Sequence, residues 1–289
     1  MRYPSTVNLP FNHEAVRDTF VPLLPGAGQP EGPGYWVLLQ GNALLVVADA
    51  SGSFCLPCGE LPVALQLSGE PLCIGLWQGK PLRLAAVSRS AEIPALFLAE
   101  PFNAAGDRLD DATLTLGGIG MQVLHWQRKS RCCSSCGATL EPLAGSWGKL
   151  CRSCSYEHFP SIHPCAIVLV RRGAEFLLAR KREWLPGRYG LVAGFLDMGE
   201  SLEECAAREV LEETGIRVTN VRYVGSQCWP FPCQLMAGFV ADYAGGEIKV
   251  AEDELEDARW FCRESLPAGL PPRRSIARWI IDHFMLAGA

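Results

Sequence analysis

Residues 194–216 read GFLDMGESLEECAAREVLEETGI, and this stretch decides the fold of the C-terminal half of the chain. Ser201 and Glu204 have the S-x-x-E spacing of a capping box, which predicts that a helix begins at Ser201. Gly215 marks the end of the helix, because glycine readily adopts the left-handed conformation found at helix C-termini. The segment therefore predicts one short helix preceded by a polar loop.

The glutamates of this helix are not placed as helix stability alone would require. Helical periodicity puts three apolar side chains on one stripe, namely Leu202, Ala206 and Val210. Glu209, Glu212 and Glu213 lie within about 100° of one another, and Glu213 falls inside the apolar stripe. A like-charged i,i+4 pair costs about 0.2–0.5 kcal/mol on an exposed helix. A carboxylate on a buried face costs more unless a positive charge meets it.

The acidity of the chain is concentrated in this helix. The whole sequence of 289 residues has a formal charge of −5 at pH 7. Residues 200–213 contain six Glu and one Arg, which also sum to −5, so the remainder is neutral. Clustered carboxylates favour a hard divalent cation, Mg²⁺ or Mn²⁺. The alternative is a solvated acidic helix with one i,i+4 pair, Arg208–Glu212, which leaves Glu213 unexplained.

The segment matches the pattern G-x5-E-x7-R-E-U-x-E-E-x-G-U, where U is aliphatic, at every defined position. The chain therefore resembles the Nudix hydrolases, which cleave nucleoside diphosphates linked to another group. The resemblance implies an α/β fold, the Nudix α/β/α sandwich. It also implies that Glu209 and Glu213 hold the catalytic Mg²⁺ or Mn²⁺, while Glu212 is a further ligand or positions water.

Four further residues complete the predicted site. Arg208 is expected to pair with a loop carboxylate such as Glu200 and to fix the loop against the helix. Glu254 matches a glutamate beyond the motif that completes the metal site, and the backbone carbonyl of Ala193 matches another ligand. The alternative for Glu254 is one acid among several in a solvated run at 252–257.

Residues 226–234 read SQCWPFPCQ and begin eleven residues after Gly215. They resemble the SQPWPFPxS motif of the NAD(H) pyrophosphatase subfamily, with Cys228 replacing proline and Gln234 replacing serine. Aromatic residues alternating with prolines predict a stiff loop that presents flat apolar surface at small entropic cost. The alternative is a loop that merely covers the core. The resemblance implies a dinucleotide pocket lined by Gln227, Cys228, Trp229, Pro230, Phe231, Pro232, Cys233 and Gln234.

Three more positions match substrate-contacting residues of that subfamily. Phe195 follows the first glycine of the motif and resembles the aromatic residue that stacks on the nicotinamide ring. Phe159 matches an aromatic residue at the dinucleotide site, and Ala277 matches a backbone contact. Core packing is the alternative for Phe159 and Ala277.

Two cysteine pairs predict a structural zinc site. Cys133 and Cys136 form one C-x2-C pair, Cys151 and Cys154 form another, and fourteen residues separate the pairs. This spacing is typical of a four-thiolate zinc ribbon, which leaves no coordination position for catalysis. Cys132 offers an alternative frame, but Cys133 gives the two-residue gap of a zinc knuckle. The resembled subfamily has such a ribbon immediately before its Nudix domain.

The other sequence features favour a reducing compartment. The chain has an odd number of cysteines, thirteen, and its N-terminus has no apolar signal-peptide region. No run approaches the roughly 20 apolar residues that would span a membrane. We therefore expect a cytoplasmic protein without membrane contact, in which Cys55 and Cys58 are structural or incidental.

The length and the 48% hydrophobic composition predict about two domains plus the zinc module. We expect a mostly β N-terminal domain over 1–127, a zinc ribbon over 128–160 and a Nudix catalytic domain over 161–289. Two hairpins are predicted in the first domain, at 35–40 with 43–47 and at 72–77 with 82–87, followed by a helix over 111–128. The catalytic domain is predicted to contain a final helix over 276–285 and strands at 166–170, 176–180, 189–193, 218–225, 235–242 and 258–261. No internal repeat is evident.

The resemblance predicts a metal-dependent pyrophosphatase that hydrolyses NADH or NAD⁺ to NMN(H) and AMP. It also implies removal of NAD caps from RNA 5′ ends, and a homodimer. One alternative is a Nudix hydrolase of another nucleoside diphosphate derivative, such as ADP-ribose, against which residues 226–234 argue. The other is a zinc-ribbon nucleic-acid-binding module with an inactive Nudix domain. A pI near 5.6 and the lack of a basic stripe argue against that alternative.

Overall fold

The computed structural model describes residues 2–26, 28, 30–61, 65–102 and 108–286. Contacts divide the chain into two compact units. The N-terminal unit comprises His13–Ser161 with Pro230–Cys233, and the C-terminal unit comprises Met1–Asn12, Ile162–Trp229 and Gln234–Ala289. The first twelve residues thus group with the C-terminal unit, an assignment that the sequence-based domain boundaries did not anticipate.

The N-terminal unit contains a sheet of short strands. They are β1 (Phe20–Pro22), β2 (Gly34–Gln40), β3 (Ala43–Ala48), β4 (Phe54–Cys55), β5 (Cys58–Gly59), β6 (Leu72–Trp77), β7 (Lys80–Ala86) and β8 (Leu98–Pro101). The order is β1-β6-β7-β2-β3-β4, with β5 pairing to β2 and β8 pairing to β3. Both predicted hairpins are confirmed, and β2 and β7 are parallel.

A helix, α1 (Asp111–Lys129), follows the sheet and confirms the helix predicted there. It begins at Asp110, whose side chain accepts a hydrogen bond of 2.6 Å from the backbone N–H of Thr113. Its glycines allow close packing on the sheet: a Cβ on Gly120 would lie 2.7 Å from Val37 Cγ1. The glycine content that weakens helix propensity therefore brings the helix against the strands.

The cysteine-rich segment folds as a small three-stranded sheet within the N-terminal unit. Its strands are β9 (Leu140–Pro142), β10 (Lys149–Cys151) and β11 (Glu157–His158), in the order β11-β10-β9. All pairings are antiparallel. A compact ribbon preceding the C-terminal unit along the chain was expected from the cysteine spacing.

The C-terminal unit is a mixed sheet between two helices. The strands are β12 (His163–Arg172), β13 (Glu175–Arg180), β14 (Val192–Phe195), β15 (Arg217–Trp229), β16 (Gln234–Gly245) and β17 (Asp257–Phe261). The helices are α2 (Leu202–Thr214) and α3 (Ile276–Ile281), and a π-helical turn, Asp282–Leu286, follows α3. The strand order is β15-β16-β12-β13-β17, with β14 pairing to β12.

The two faces of this sheet carry separate cores. Ala166 and Val168 of β12 pack in one cluster with Cys205 and Val210 of α2. Ile167, Leu169 and other alternate residues pack in a second cluster with Ile276, Ile280 and Ile281 of α3. The alternation of side chains along a strand thus gives each helix its own layer, and the predicted α/β/α sandwich is confirmed.

The two sheets share one topology, although the sequence shows no internal repeat. Each sheet contains a hairpin, β2–β3 or β12–β13. The first strand of the hairpin also pairs in parallel with another strand, β7 or β16. That strand pairs in turn with an antiparallel strand, β6 or β15. A short strand pairs to the first hairpin strand, a later strand pairs to the second, and a helix comes last. No counterpart of α2 is found among the described residues between β5 and β6.

Two predicted elements differ from the structure. The strand predicted at 189–193 lies instead at Val192–Phe195. Tyr189 and Leu191 are buried, but they precede the regular strand. Gly190 makes only an isolated bridge to Ala179, so burial produced the alternating pattern without a continuous strand. The helix predicted at 276–285 loses α-helical hydrogen bonding after Ile281, where the π-helical turn starts. Among the described residues, no helix has both the length and the apolarity needed to cross a membrane.

Candidate active site and metal centres

Helix α2 holds the acidic residues of the site, and its ends form as the sequence predicts. Ser201 and Glu204 make both hydrogen bonds of the capping box, and Gly215 ends the helix with a φ of 72°. Glu209 and Glu213 lie on the side of the helix that faces the sheet, with 8% and 2% exposure. The helix therefore places two carboxylates at the edge of an apolar layer.

A third carboxylate joins them from the loop before β17. Carboxylate oxygens of Glu209, Glu213 and Glu254 all lie within 4.8 Å of one another. The loop is tied to the end of α2, because the backbone N–H of Ala251 donates to the carbonyl of Glu213 at 3.0 Å. The structure thus brings together the three glutamates that the resemblance proposed as metal ligands.

Burial and the neighbouring carboxylates disfavour the charged forms of Glu209 and Glu213. Burial is the main reason that the pKa of Glu213 is raised to about 7. The charge of Lys181 lowers this pKa, whereas the charges of Glu209 and Glu254 act in the same direction as burial. Burial also raises the pKa of Glu209, although its hydrogen bond from Arg208 acts in the opposite direction.

One oxygen of the cluster lacks a protein partner. Oε2 of Glu213 is buried and has no hydrogen-bond partner among the described residues. Three converging carboxylates with an unpartnered buried oxygen fit a hard divalent cation.

Arg208 connects the helix to the loop that precedes it. Its guanidinium donates to both oxygens of Glu200, at 2.5 and 2.8 Å, and to the carbonyl of Phe195 at 2.8 Å. It also donates to Glu209 at 2.8 Å and to Glu212 at 2.9 Å. The hydrogen bond from Arg208 is the main reason that the pKa of Glu200 is lowered to about 2. The expected Arg208–Glu200 pair is confirmed.

Glu212 and Ala193 stand outside the carboxylate cluster. Glu212 is exposed on α2, where it forms an ion pair with Arg208 at 2.9 Å. Ala193 lies in β14, paired with Ile167 of β12, next to the glycine that opens the motif. Their roles as a water-positioning residue and a carbonyl ligand stay predictions.

The predicted substrate residues fall into exposed and buried groups. Phe195 is 50% exposed at the end of β14, with its ring edge-to-face to His163 at 6.4 Å between centroids. Phe159 is 53% exposed, so it is not a core residue of the N-terminal unit. Ala277 is buried in the α3 layer, where core packing accounts for its side chain. Two exposed aromatic rings are therefore available for stacking.

Only the central part of the segment at 226–234 forms the predicted loop. Ser226 to Trp229 extend β15, and only Pro230–Cys233 form the turn into β16. Pro230 and Cys233 are buried, Phe231 and Gln234 are half-buried, and Pro232 is exposed. The ring of Phe231 lies 5.6 Å from that of Phe102, and the ring of Trp229 lies 5.7 Å from that of Phe11. The aromatic residues are held in place by other aromatic rings.

Gln227 has a structural role that the sequence did not reveal. Its buried side-chain amide donates to the carbonyls of Pro10 and Arg274, both at 2.9 Å, and accepts from the N–H of Ile276 at 2.7 Å. Nearby, the N–H of Cys228 donates to Asn12 at 2.8 Å. Gln227 thus joins the first residues of the chain to the start of α3. No local sequence pattern indicates such a long-range partner.

The four cysteines of the ribbon converge as predicted. Sγ atoms of Cys133, Cys136, Cys151 and Cys154 all lie within 4.8 Å of one another. Each pair forms a turn in which the residue after the second cysteine has positive φ, 79° at Gly137 and 61° at Ser155. Cys132 is exposed and lies outside the cluster. The structure therefore selects the frame that begins at Cys133.

Thiol chemistry in the cluster fits a cation. Although burial opposes it, the hydrogen bond with His158 contributes most to lowering the pKa of Cys133 to about 7. A backbone hydrogen bond from Cys154 is the main reason that the pKa of Cys151 is lowered to about 7. Nε2 of His158 lies 3.3 Å from Sγ of Cys133, a contact that the cysteine spacing could not predict. Although backbone hydrogen bonds oppose it, hydrogen bonds among the thiols raise the pKa of Cys136 to about 12 and also raise that of Cys154, so two of the four thiols, Cys133 and Cys151, are the readier to ionise. Thiolates are the metal-binding form of cysteine.

Comparisons with known proteins agree with this architecture. Residues 161–280 match the family model described as the NUDIX domain, and residues 33–126 match the NADH pyrophosphatase-like rudimentary NUDIX domain. A similar protein is the NAD-capped RNA hydrolase NudC of Pseudomonas fluorescens, 40% identical over 88% of this chain and 90% of the relative. A protein of the same name from Pseudomonas putida is 44% identical over 73% of this chain and 76% of the relative. Another from Erwinia tasmaniensis is 39% identical over 86% of this chain and 90% of the relative.

The chain is therefore a member of the NUDIX hydrolase family. Within that family it has the arrangement of the NADH pyrophosphatase-like proteins, in which a rudimentary NUDIX domain precedes a complete one. The shared topology of the two sheets is the structural counterpart of that arrangement.

Proposed function

We propose that this protein hydrolyses the pyrophosphate of NADH and NAD⁺ to NMN(H) and AMP, and that it removes NAD caps from RNA 5′ ends. The observation that carries the proposal is the convergence of Glu209, Glu213 and Glu254 within 4.8 Å. The proposed substrates are supported by the names of the relatives at 39–44% identity.

In the proposed reaction, the oxygen of water attacks one phosphorus, the bridging P–O bond breaks, and the protons of water end on the two phosphate products. Mg²⁺ or Mn²⁺, when bound, would neutralise the pyrophosphate charge and lower the pKa of the attacking water. Glu209, Glu213 and Glu254 would hold that cation, with the carbonyl of Ala193 as a further ligand. Glu212 would orient the water, because it is exposed beside the cluster and fixed by Arg208.

Arg208 would position the site and not react. Its hydrogen bonds to Glu200, Glu209 and the carbonyl of Phe195 connect the metal-binding helix to the strand that carries the stacking ring. Phe195 would stack on the nicotinamide, and Phe159 with the turn at Pro230–Cys233 would contribute further dinucleotide contacts. Burial of the Gln227 amide supports a structural contribution for that residue beside the substrate role that the resemblance implied.

The remaining parts of the proposal concern zinc, assembly and location. We propose that the four-cysteine cluster binds one structural Zn²⁺, since four thiol sulfurs within 4.8 Å match a closed tetrahedral site. All thirteen cysteines are free in the described chain, which supports a reducing, cytoplasmic location. A homodimer is proposed from the family resemblance.

The test is a comparison of four substrates with one purified protein. NADH, NAD⁺, ADP-ribose and NAD-capped RNA are each incubated with Mg²⁺ and with Mn²⁺, and the released products are identified. We expect NMN(H) and AMP from the dinucleotides and 5′-monophosphate RNA from the capped transcript. Faster hydrolysis of ADP-ribose than of every NAD-containing substrate would contradict the proposed specificity. No hydrolysis of any substrate with either cation would favour an inactive module.

A further inference from the structure

A cavity of about 610 Å³ lies in the N-terminal unit, at the C-terminal end of α1. Its floor is apolar and comes from the sheet and the helix. These floor residues are Leu39, Leu72, Ala86, Val87, Met121 and Leu124. The volume lies within the range of about 300–1,000 Å³ that small-molecule sites occupy.

Three arginines stand at this cavity, Arg89, Arg128 and Arg131. In the described ranges of the chain, none of their guanidinium groups forms an ion pair or a side-chain hydrogen bond. Glu70 is the one carboxylate among the lining residues, so the lining carries three positive charges and one negative charge, a sum of +2. The chain as a whole carries −5, which makes this a local reversal of charge.

An apolar floor with unpaired arginines selects a particular ligand chemistry. Guanidinium groups bind phosphate oxygens in bidentate geometry and are weakly hydrated, so they suit a phosphate at the mouth of a cavity. Aliphatic side chains and the thioether of Met121 pack well against a flat ring. Gln127 and Ser68 add an amide and a hydroxyl to the lining, which can bond to a base or a ribose.

We propose that this cavity is a second ligand site, separate from the carboxylate cluster, and that it binds a nucleoside monophosphate. The phosphate lies against Arg128 and Arg131, and the base lies over the apolar floor. A polyanionic chain fits less well, because the basic residues do not continue as a track. Lys149, the next lysine along the chain, is buried and donates to the carbonyl of Ser130 at 2.9 Å.

The test is calorimetric titration of the full-length protein, with its zinc retained and no Mg²⁺ or Mn²⁺ added, using AMP as the probe. Adenosine and inorganic phosphate are titrated separately, to divide the base from the phosphate contribution. We expect AMP to bind more tightly than either. Arg128→Ala and Arg131→Ala should each weaken AMP binding about tenfold, the usual effect of losing one hydrogen bond to a charged group.

Two matched variants separate the cavity from other sites. Lys129→Ala removes the same charge from the same helix outside the cavity and should bind AMP as the wild type does. Ala86→Leu fills part of the cavity without a charge change and should weaken binding. Hydrolysis of NADH by Arg128→Ala should stay unchanged, which shows that the variant folds.

Three outcomes overturn the proposal. The first is the absence of AMP binding at millimolar concentration. The second is binding that Arg128→Ala and Ala86→Leu both leave unchanged. The third is AMP binding that NAD⁺ displaces competitively while Arg128→Ala does not affect it, since AMP would then occupy the hydrolytic site alone. These outcomes leave the proposed hydrolase activity untouched, because NADH turnover is measured independently.

Discussion

A Cβ atom built on Gly194 would lie 1.9 Å from Cδ of Glu209 and about equally close to both of its carboxylate oxygens, at 2.0 and 2.1 Å. Strand β14 therefore passes directly against a proposed metal ligand. Only a residue without a side chain allows Glu209 to keep its position, and this explains why the motif opens with glycine fifteen residues before that glutamate.

Gly194→Ala should displace the Glu209 carboxylate and lower kcat for NADH by about 100-fold, because a ligand misplaced by about 1 Å costs that much. The melting temperature should change little, since the atom that must move ends a flexible side chain. Steady-state kinetics and thermal melting check both statements. Gly28→Ala is the control, because no atom lies within 4 Å of a Cβ there. Wild-type kcat in Gly194→Ala would show that Glu209 tolerates displacement.

Glu213→Gln keeps the shape of the side chain and removes one ligand charge. We expect kcat for NADH to fall by at least about 1,000-fold with the fold retained. Glu203→Gln, an exposed position on the same helix, should be nearly normal. Turnover is measured at saturating Mg²⁺ and Mn²⁺, and near-normal activity of Glu213→Gln would exclude this residue from the metal site.

Stability without the divalent cation should depend on pH through Glu213. Its pKa is raised from 4.5 to about 7 in the folded protein, so between these values the folded state binds more protons than the unfolded state. Stability therefore falls as pH rises from 4.5 to about 7, and cation affinity rises over the same window because binding displaces the proton. Urea unfolding of wild type and Glu213→Gln, from pH 5 to pH 8, isolates the contribution. Identical pH profiles for the two proteins would be inconsistent with it.

Cys136→Ser should remove zinc and lower stability together, because metal binding supplies folding free energy in such modules. Cys132→Ser should keep one zinc per chain, since Cys132 lies outside the cluster. Elemental analysis and thermal melting of both variants decide between the two cysteine frames. Loss of zinc from Cys132→Ser with retention in Cys136→Ser would reverse the assignment.

Phe195→Ala should reduce the ratio of kcat/KM for NADH to that for ADP-ribose. Aromatic stacking contributes about 0.5–1.5 kcal/mol beyond area burial, which corresponds to about a two- to tenfold change. Tyr223→Ala, another exposed aromatic position in the same unit, should leave the ratio unchanged. An unchanged ratio in Phe195→Ala would falsify the stacking role.

Local chemistry explains which features the sequence could predict. The bounds of α2, the Arg208–Glu200 pair and the cysteine frame depend on residues close in sequence, so spacing was sufficient. The His158 contact with Cys133 and the Gln227 contacts with Pro10 depend on distant parts of the chain. These contacts arise from tertiary packing, and no periodic pattern in a single sequence indicates them. The error in the predicted position of β14 has the same cause. Tyr189 and Leu191 are buried by tertiary packing, so the sequence alternates there as it would in a strand although no regular strand forms.

Equivalent faces of the two sheets are covered by different elements, a helix in one unit and loops in the other. The burial of a sheet face is therefore separate from the chemistry of the element that covers it. In the C-terminal unit, Cys205, Ala206 and Val210 of α2 lie over the face that includes Val168. In the N-terminal unit, loop residues such as Leu65 and Phe97 pack over the corresponding strands, around Leu38. A sheet of this topology thus needs an apolar cover and not a particular helix. The N-terminal sheet, which has no equivalent of α2 among its described residues, therefore lacks that carboxylate-bearing helix and still has a buried core.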